Sequence, residues 1–323
     1  MTMMTSIPAP ALAAVDRAAS KYIPTGRDKD FRHQLDRLFA RDDTGALTAA
    51  LRKDPGTGDA KGLAVIEAPG GGKSTLIEKG LSRHPFLEPE FEGHLPYIKI
   101  NAPSPATPKS LLIELLMATG YADVSWSKSE QEITKLLRHR LQLCGVLIVW
   151  IDEAHDLIGG GTPHKVQTTV KSTKNLMQGV GAVGLILSGI DTLWTLISSD
   201  EQLNRRFSKM PLKSVTAVSD EKMLNSIVRT LCKEVGVEAP VSSDLLERLV
   251  HASRGRFGRF IEYTLAALET AAYAGDALLD VHHFAQAWAQ REGCEQGQNV
   301  FLAKNWAQID LGQVPGSPAR GGH

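Results

Sequence analysis

The sequence predicts a doubly wound α/β core with a parallel sheet, followed by a small α-helical lid. The apolar runs at 146–151 and 183–188 are continuous rather than alternating, as expected of strands covered by helices on both faces. Strand and helix patterns alternate from Gly62 to the region of Leu193. Beyond about Ala217 strand signals stop and only helical periodicity remains.

Residues 1–20 are expected to be flexible. In RDKDFRHQLDRLF, Phe31, Leu35, Leu38 and Phe39 recur at helical spacing and predict an amphipathic helix ahead of the core. The stretch 53–61, KDPGTGDAK, is a turn-rich connector into the first core strand, Gly62-Leu-Ala-Val-Ile66. There follow a helix from Lys73, a strand over 97–101, helices over 110–118 and 129–143, and the strand 146–151. A helix near 165–177, the strand 183–188 and a short helix around Leu193 complete the core. Lid helices are expected over 219–235, 242–252, 257–274 and 280–290. The resulting division is a flexible start (1–20), a core with its leading helix (21–217), a helical lid (218–290) and a partner-binding tail (291–323) that ends in disorder.

A chain of 323 residues with 42% hydrophobic and 22% charged residues can bury a sizeable core and is neither fibrous nor wholly disordered. Lysine plus arginine balances aspartate plus glutamate at 36 each, so any nucleic-acid binding has to come from a local patch. The three cysteines, Cys144, Cys232 and Cys294, are far apart, which argues against a disulfide framework or a zinc site and suits a reducing cytoplasm. With no signal-like start and no run of about 18 apolar residues, neither secretion nor a membrane span is expected.

Directly after the first strand comes Ala68-Pro69-Gly70-Gly71-Gly72-Lys73-Ser74-Thr75. The order strand, glycine-rich turn, helix is that of a phosphate-binding loop. Backbone N–H groups of the loop and the helix N-terminus suit phosphates, Lys73 suits the β/γ-phosphates of ATP, and Ser74 suits Mg²⁺. Glu67 stands where the pattern usually has its first glycine. The strand ending Ile151-Asp152-Glu153 reads as a Walker B: Asp152 as a Mg²⁺ ligand through its water shell, Glu153 as the group that polarises the attacking water. Ser188, at the end of the next apolar strand, is the candidate sensor of the γ-phosphate. In Asp200-Glu-Gln-Leu-Asn-Arg205-Arg206-Phe207 two arginines close a short helix, and Arg206 is the favoured finger toward a neighbouring subunit's ATP. Ser253-Arg254-Gly255-Arg256-Phe257-Gly258-Arg259 sits where a second sensor arginine would lie, although Gly258 occupies the arginine position of the common Gly-x-x-Arg form. These elements together make the fold an AAA+ P-loop NTPase and the activity Mg²⁺-dependent ATP hydrolysis. Asp152-Glu153-Ala154-His155 also spells the DEAH box of certain helicases, but the second RecA-like domain they need is replaced here by a helical region.

The chain resembles the AAA+ transposition regulators of the TniB and TnsC group. The resemblance spans roughly residues 20–310 and rests on Tyr22-Ile-Pro-Thr-Gly-Arg27, Ile151-Asp-Glu-Ala-His-Asp-Leu157, Ser188-Gly189, the 200–207 block and Gln298-Asn299-Val300-Phe301-Leu302 with Trp306. In that group the tail carries Asn-Pro-Phe, where this chain has Val300. The resemblance implies ATP-dependent rings or filaments on duplex DNA, target selection, recruitment of a transposase and an adaptor of the TniQ type. It also implies backbone-contacting residues between the second strand and Walker B, for which Lys109, Lys128 and Ser129 are the candidates. Alternatives are an AAA+ ATPase outside transposition, such as a replication loader or secretion-associated ATPase, a non-hydrolysing scaffold and a small-molecule kinase.

Overall fold

Burial on both faces is what turns the core strands into apolar runs, and the computed structural model bears this out. It describes residues 9–122, 124–157, 171–240 and 244–312. Contacts divide the chain into an α/β unit, residues 26–69 and 73–212, and a helical unit, residues 1–25, 70–72 and 213–323. Seven strands occur among the described residues: β1 (Phe39–Arg41), β2 (Leu47–Leu51), β3 (Gly62–Ile66), β4 (Tyr97–Asn101), β5 (Ile148–Asp152), β6 (Gly184–Gly189) and β7 (Phe207–Pro211). The main sheet has the order β4-β5-β6-β3-β7, with every pairing parallel. Every residue of β3, β5 and β6 is buried. Because the chain jumps from β3 to the edge and returns through β5 and β6, the carboxyl ends of β3, β6 and β5 lie side by side. Open α/β sheets bind ligands at that edge.

Three departures from the sequence reading have physical causes. The leading helix is Gly26–Asp36, and Phe39 opens β1, paired antiparallel with β2. Leu35, Leu38 and Phe39 all enter one buried cluster with Phe31, so helical spacing there is satisfied by a helix end plus a strand. β7 carries the half-exposed Ser208 and Lys209 on a sheet edge and ends in Pro211, so it lacks the apolar run that marks a central strand. The helix expected over 165–177 is seen as helix at 171–176, and its earlier part lies outside the described residues.

The helical unit contains Glu221–Val235, Leu245–Ala252, Phe257–Ala274 and Val281–Glu292. The start expected to be flexible contributes a helix, Ala9–Ser20, which buries Ala14, Val15 and Ala18. Val300 and Phe301 are buried, Phe301 against Phe284 and Trp288, and the Arg248 guanidinium donates to the carbonyls of Val300 (2.7 Å) and Ala303 (2.9 Å). Asn299 Nδ2 donates to Ala285 O at 2.8 Å, so the Asn-Val-Phe element spends its side chains inside its own unit. Residues 313–323, expected to be disordered, lie outside the described residues. No helix among the described residues is long and apolar enough to cross a membrane.

One buried histidine makes the α/β unit sensitive to acid. His84 is fully buried, stacked on Phe39 at 4.6 Å, with Nδ1 accepting from Phe86 N–H (3.3 Å) and Nε2 3.2 Å from Asp36 Oδ1. Burial, aided by the Arg32 charge and opposed by Asp36, pushes its pKa below the ordinary 6.5. Between the two values the unfolded chain binds the extra proton, so stability is full above pH 6.5 and is lost as the pH falls through the folded value. Melting temperatures measured from pH ~8 to ~5 should fall on the acid side, and His84→Phe should flatten that part of the profile.

Candidate functional site

The glycine-rich turn is shaped by its backbone. Gly72 has φ +97°, which an L side chain rarely adopts, and the helix Lys73–Ser82 starts immediately after it. Glu67, in the place of the usual first glycine, is buried, accepts from Arg27 Nη1 at 3.1 Å and donates its N–H to Gly189 O. Arg27, from the Tyr22–Arg27 motif, thus has a role that sequence reasoning did not assign: it neutralises the carboxylate at the loop entrance.

Four predicted residues meet at the carboxyl edge of the sheet. Lys73 is buried, with Nζ 3.2 Å from Glu153 Oε1. Glu153 is one of two non-glycine residues at positive φ (50°) among the described residues, a strained conformation of the kind that clusters at functional sites. His155 Nδ1 lies 3.3 Å from Glu153 Oε2 without a hydrogen bond between them. Asp152 is buried, and its Oδ1 accepts from Ser188 Oγ (2.6 Å) and from Glu153 N–H (3.0 Å). Trp150, missed as a site residue, donates its indole N–H to Ser188 Oγ at 2.7 Å. Its signal was a tryptophan inside an otherwise aliphatic strand.

The donor set fits a magnesium nucleotide. A buried ammonium, glycine backbone and a helix N-terminus suit phosphates, while the Ser74 hydroxyl and the Asp152 carboxylate are the hard oxygen ligands Mg²⁺ takes beside phosphate oxygens.

The two arginines of the 200–207 block differ from expectation. Arg206 is turned inward: its Nη2 lies 2.6 Å from Asp59 Oδ2, with both side chains at 10% exposure or less. This pair joins the start of β7 to the connector before β3, its parallel neighbour. Arg205 is the exposed one, at 76%, bonded only to Glu201 one helical turn back. Arg206, the favoured finger, is therefore paired within its own fold, and Arg205 is the exposed member of the two.

Of the three arginines in 254–259, Arg254 bonds the carbonyl of Leu311, and Arg259 lies against the phosphate loop. Gly70–Gly72 group by contacts with the helical unit. There Gly258 N–H donates to Gly71 O (3.2 Å) and Arg259 N–H to Gly70 O (2.9 Å). A Cβ on Gly258 would stand 2.6 Å from Gly70 O, so only glycine permits this approach. Gly258→Ala should weaken binding of a fluorescent ATP analogue by about tenfold or more, since such overpacking costs ~1–3 kcal/mol; unchanged affinity would show that the loop does not depend on this contact.

The three backbone-contact candidates are not alike. Lys109 Nζ donates to Trp126 O at 2.5 Å, and Trp126 is itself exposed. Ser129 is the N-cap of Glu130–Leu143 in a reciprocal box with Glu132, its hydroxyl 2.7 Å from Glu132 Oε2. That helix start already carries Glu130 and Glu132, so it does not invite phosphate. Lys128, just ahead of it, is half-buried.

A model of the family described as Bacterial TniB protein matches residues 40–217. The chain belongs to the TniB family. It is an AAA+ ATPase. No curated protein matches the sequence. Among solved structures, the Walker-type ATPase PABY2304 of Pyrococcus abyssi is similar with a TM-score of 0.55 at 14% identity, covering 85% of this chain and 72% of that one. The Aeropyrum pernix ORC2 protein gives 0.56 at 18%, covering 85% and 71%. The ORC1 protein of the same organism, solved in complex with DNA, gives 0.56 at 17%, covering 86% and 67%. At these identities the likeness is one of fold, and it places the TniB chain among AAA+ structures.

Proposed function

We propose that this TniB chain is an ATP-dependent regulator of DNA transposition. It assembles on duplex DNA, marks the target and recruits a transposase, with a TniQ-type adaptor, and ATP hydrolysis controls its disassembly. The observation that carries the reading is membership of the TniB family, over residues that include both the phosphate loop and Walker B. The ORC1 neighbour, solved in complex with DNA, supports DNA as a partner for this fold.

In this reading Lys73 and the loop hold the phosphates, and Ser74 and Asp152 hold Mg²⁺, which would neutralise phosphate charge. Phosphate binding draws Lys73 away from Glu153, releasing the carboxylate to orient the attacking water. Arg205 completes the site of a neighbouring subunit. Lys109 and Lys128 lie on the face that contacts the DNA backbone. Repetition along an assembly lets few lysines per subunit suffice in a chain of zero formal charge, since each neutralised phosphate adds to affinity.

Sedimentation with duplexes of unrelated sequence tests this directly. Large complexes should form with ATP or a slowly hydrolysed analogue, weaken with salt, and be absent with ADP or in Lys73→Ala; no DNA binding with any nucleotide would sink the reading. The two arginines separate cleanly. Arg205→Ala should leave the melting temperature in place and lower turnover of the assembled protein by about 10³-fold or more. Arg206→Ala should instead destabilise the fold by about 3–5 kcal/mol, because it leaves Asp59 buried and unpaired. Equal effects on turnover without a stability difference would overturn the distinction.

A further inference from the structure

The hydroxyl of Ser188 has one proton to give, and the geometry around it says where that proton goes. An indole N–H can only donate. Trp150 Nε1 stands 2.7 Å from Ser188 Oγ, so Ser188 must accept there. Its single proton is then directed to Asp152 Oδ1, 2.6 Å away. Trp150 and Ser188 are fully buried and Asp152 nearly so, which leaves no water to exchange with these partners at low cost.

The sheet builds this relay. Trp150 and Asp152 are two apart on β5 and therefore share a face. Trp150 is in register with Ile186 on β6, which puts Ser188, two residues on, beside Asp152. Lys99, in register with Trp150 on β4, lies 4.2 Å over the indole ring. The ring is thus held from one side by a cation and at its edge by the bond to Ser188.

Both bonds at Asp152, from Ser188 and from Glu153 N–H, fall on Oδ1. They fix the rotation of the carboxylate and leave Oδ2 outside this pair. We propose that Trp150 is a positioning residue for ATP hydrolysis: through Ser188 it sets the orientation of the Asp152 carboxylate toward Mg²⁺. Ser188 thereby acts as an orienter of Walker B rather than as a donor to the γ-phosphate, because its one proton is already committed.

The test is Trp150→Phe, which keeps a buried aromatic ring and removes the N–H, read by Mg²⁺ titration of fluorescent ATP-analogue binding and by steady-state kinetics. The half-saturating Mg²⁺ concentration should rise about tenfold, kcat should fall about tenfold or more, and nucleotide affinity without Mg²⁺ should stay within about twofold. Ser188→Ala should give the same pattern, and the double variant should lose no more than either single change, since the two residues act as one unit. Unchanged Mg²⁺ dependence in Trp150→Phe, or effects that multiply in the double variant, would overturn the proposal. If Trp150→Phe does not fold, Ser188→Ala decides alone: a kcat loss with Mg²⁺ dependence unmoved returns Ser188 to the γ-phosphate and removes Trp150 from the mechanism.

Discussion

A lysine and an aspartate buried at the same sheet edge cannot each be left without a partner, and much of this structure follows from giving them one. Desolvating a charge costs several kcal/mol unless a partner or hydrogen bonds offset it. Lys73 meets Glu153 and Asp152 meets Ser188 because the strand order sets β3, β6 and β5 side by side, with their carboxyl ends at one edge. An antiparallel arrangement of the same strands would send their ends in opposite directions and scatter these groups. The nucleotide chemistry therefore depends first on parallel pairing, and the apolar runs that permit it are the cost-free part of the design, since each strand is simply buried on both faces.

The same logic divides the two arginines. A guanidinium at 10% exposure needs a carboxylate, and Asp59 supplies it, so Arg206 serves the seam between β3 and β7. Arg205, its neighbour on a six-residue helix, is exposed to solvent and pairs with Glu201. One helical step of about 100° is enough to send adjacent identical residues into different chemistry.

In the helical unit the described residues nearest both termini belong to the packed core. Ala9–Ser20 buries small side chains, and Asn299–Phe301 fills the space beside Phe284 and Trp288. Valine in place of the group's proline suits a buried, tightly packed position, where Val300 is fully inaccessible. The close approach of Gly258 to Gly70 shows the same economy: a missing side chain lets two backbones bond directly.

The sequence by itself determined the fold class, the phosphate loop, Walker B and the helices of the lid, because these depend on local order: an apolar run, then glycines, then a helix, or a run ending in two acids. Lys73, Asp152 and Glu153 were legible for that reason. Ser188 was legible as a position, whereas the hydrogen bond it accepts from Trp150, 38 residues earlier in the chain, was not. The same holds for Asp59 opposite Arg206, Arg27 opposite Glu67 and Arg259 against Gly70. Edge strand β7 and the hairpin β1–β2 escaped because they are short, are mostly half-buried or exposed, and pair only in three dimensions. Local pattern fixes which backbone forms; which side chain receives a proton or a counter-charge is decided by distance across the fold, and only the tertiary structure sets that.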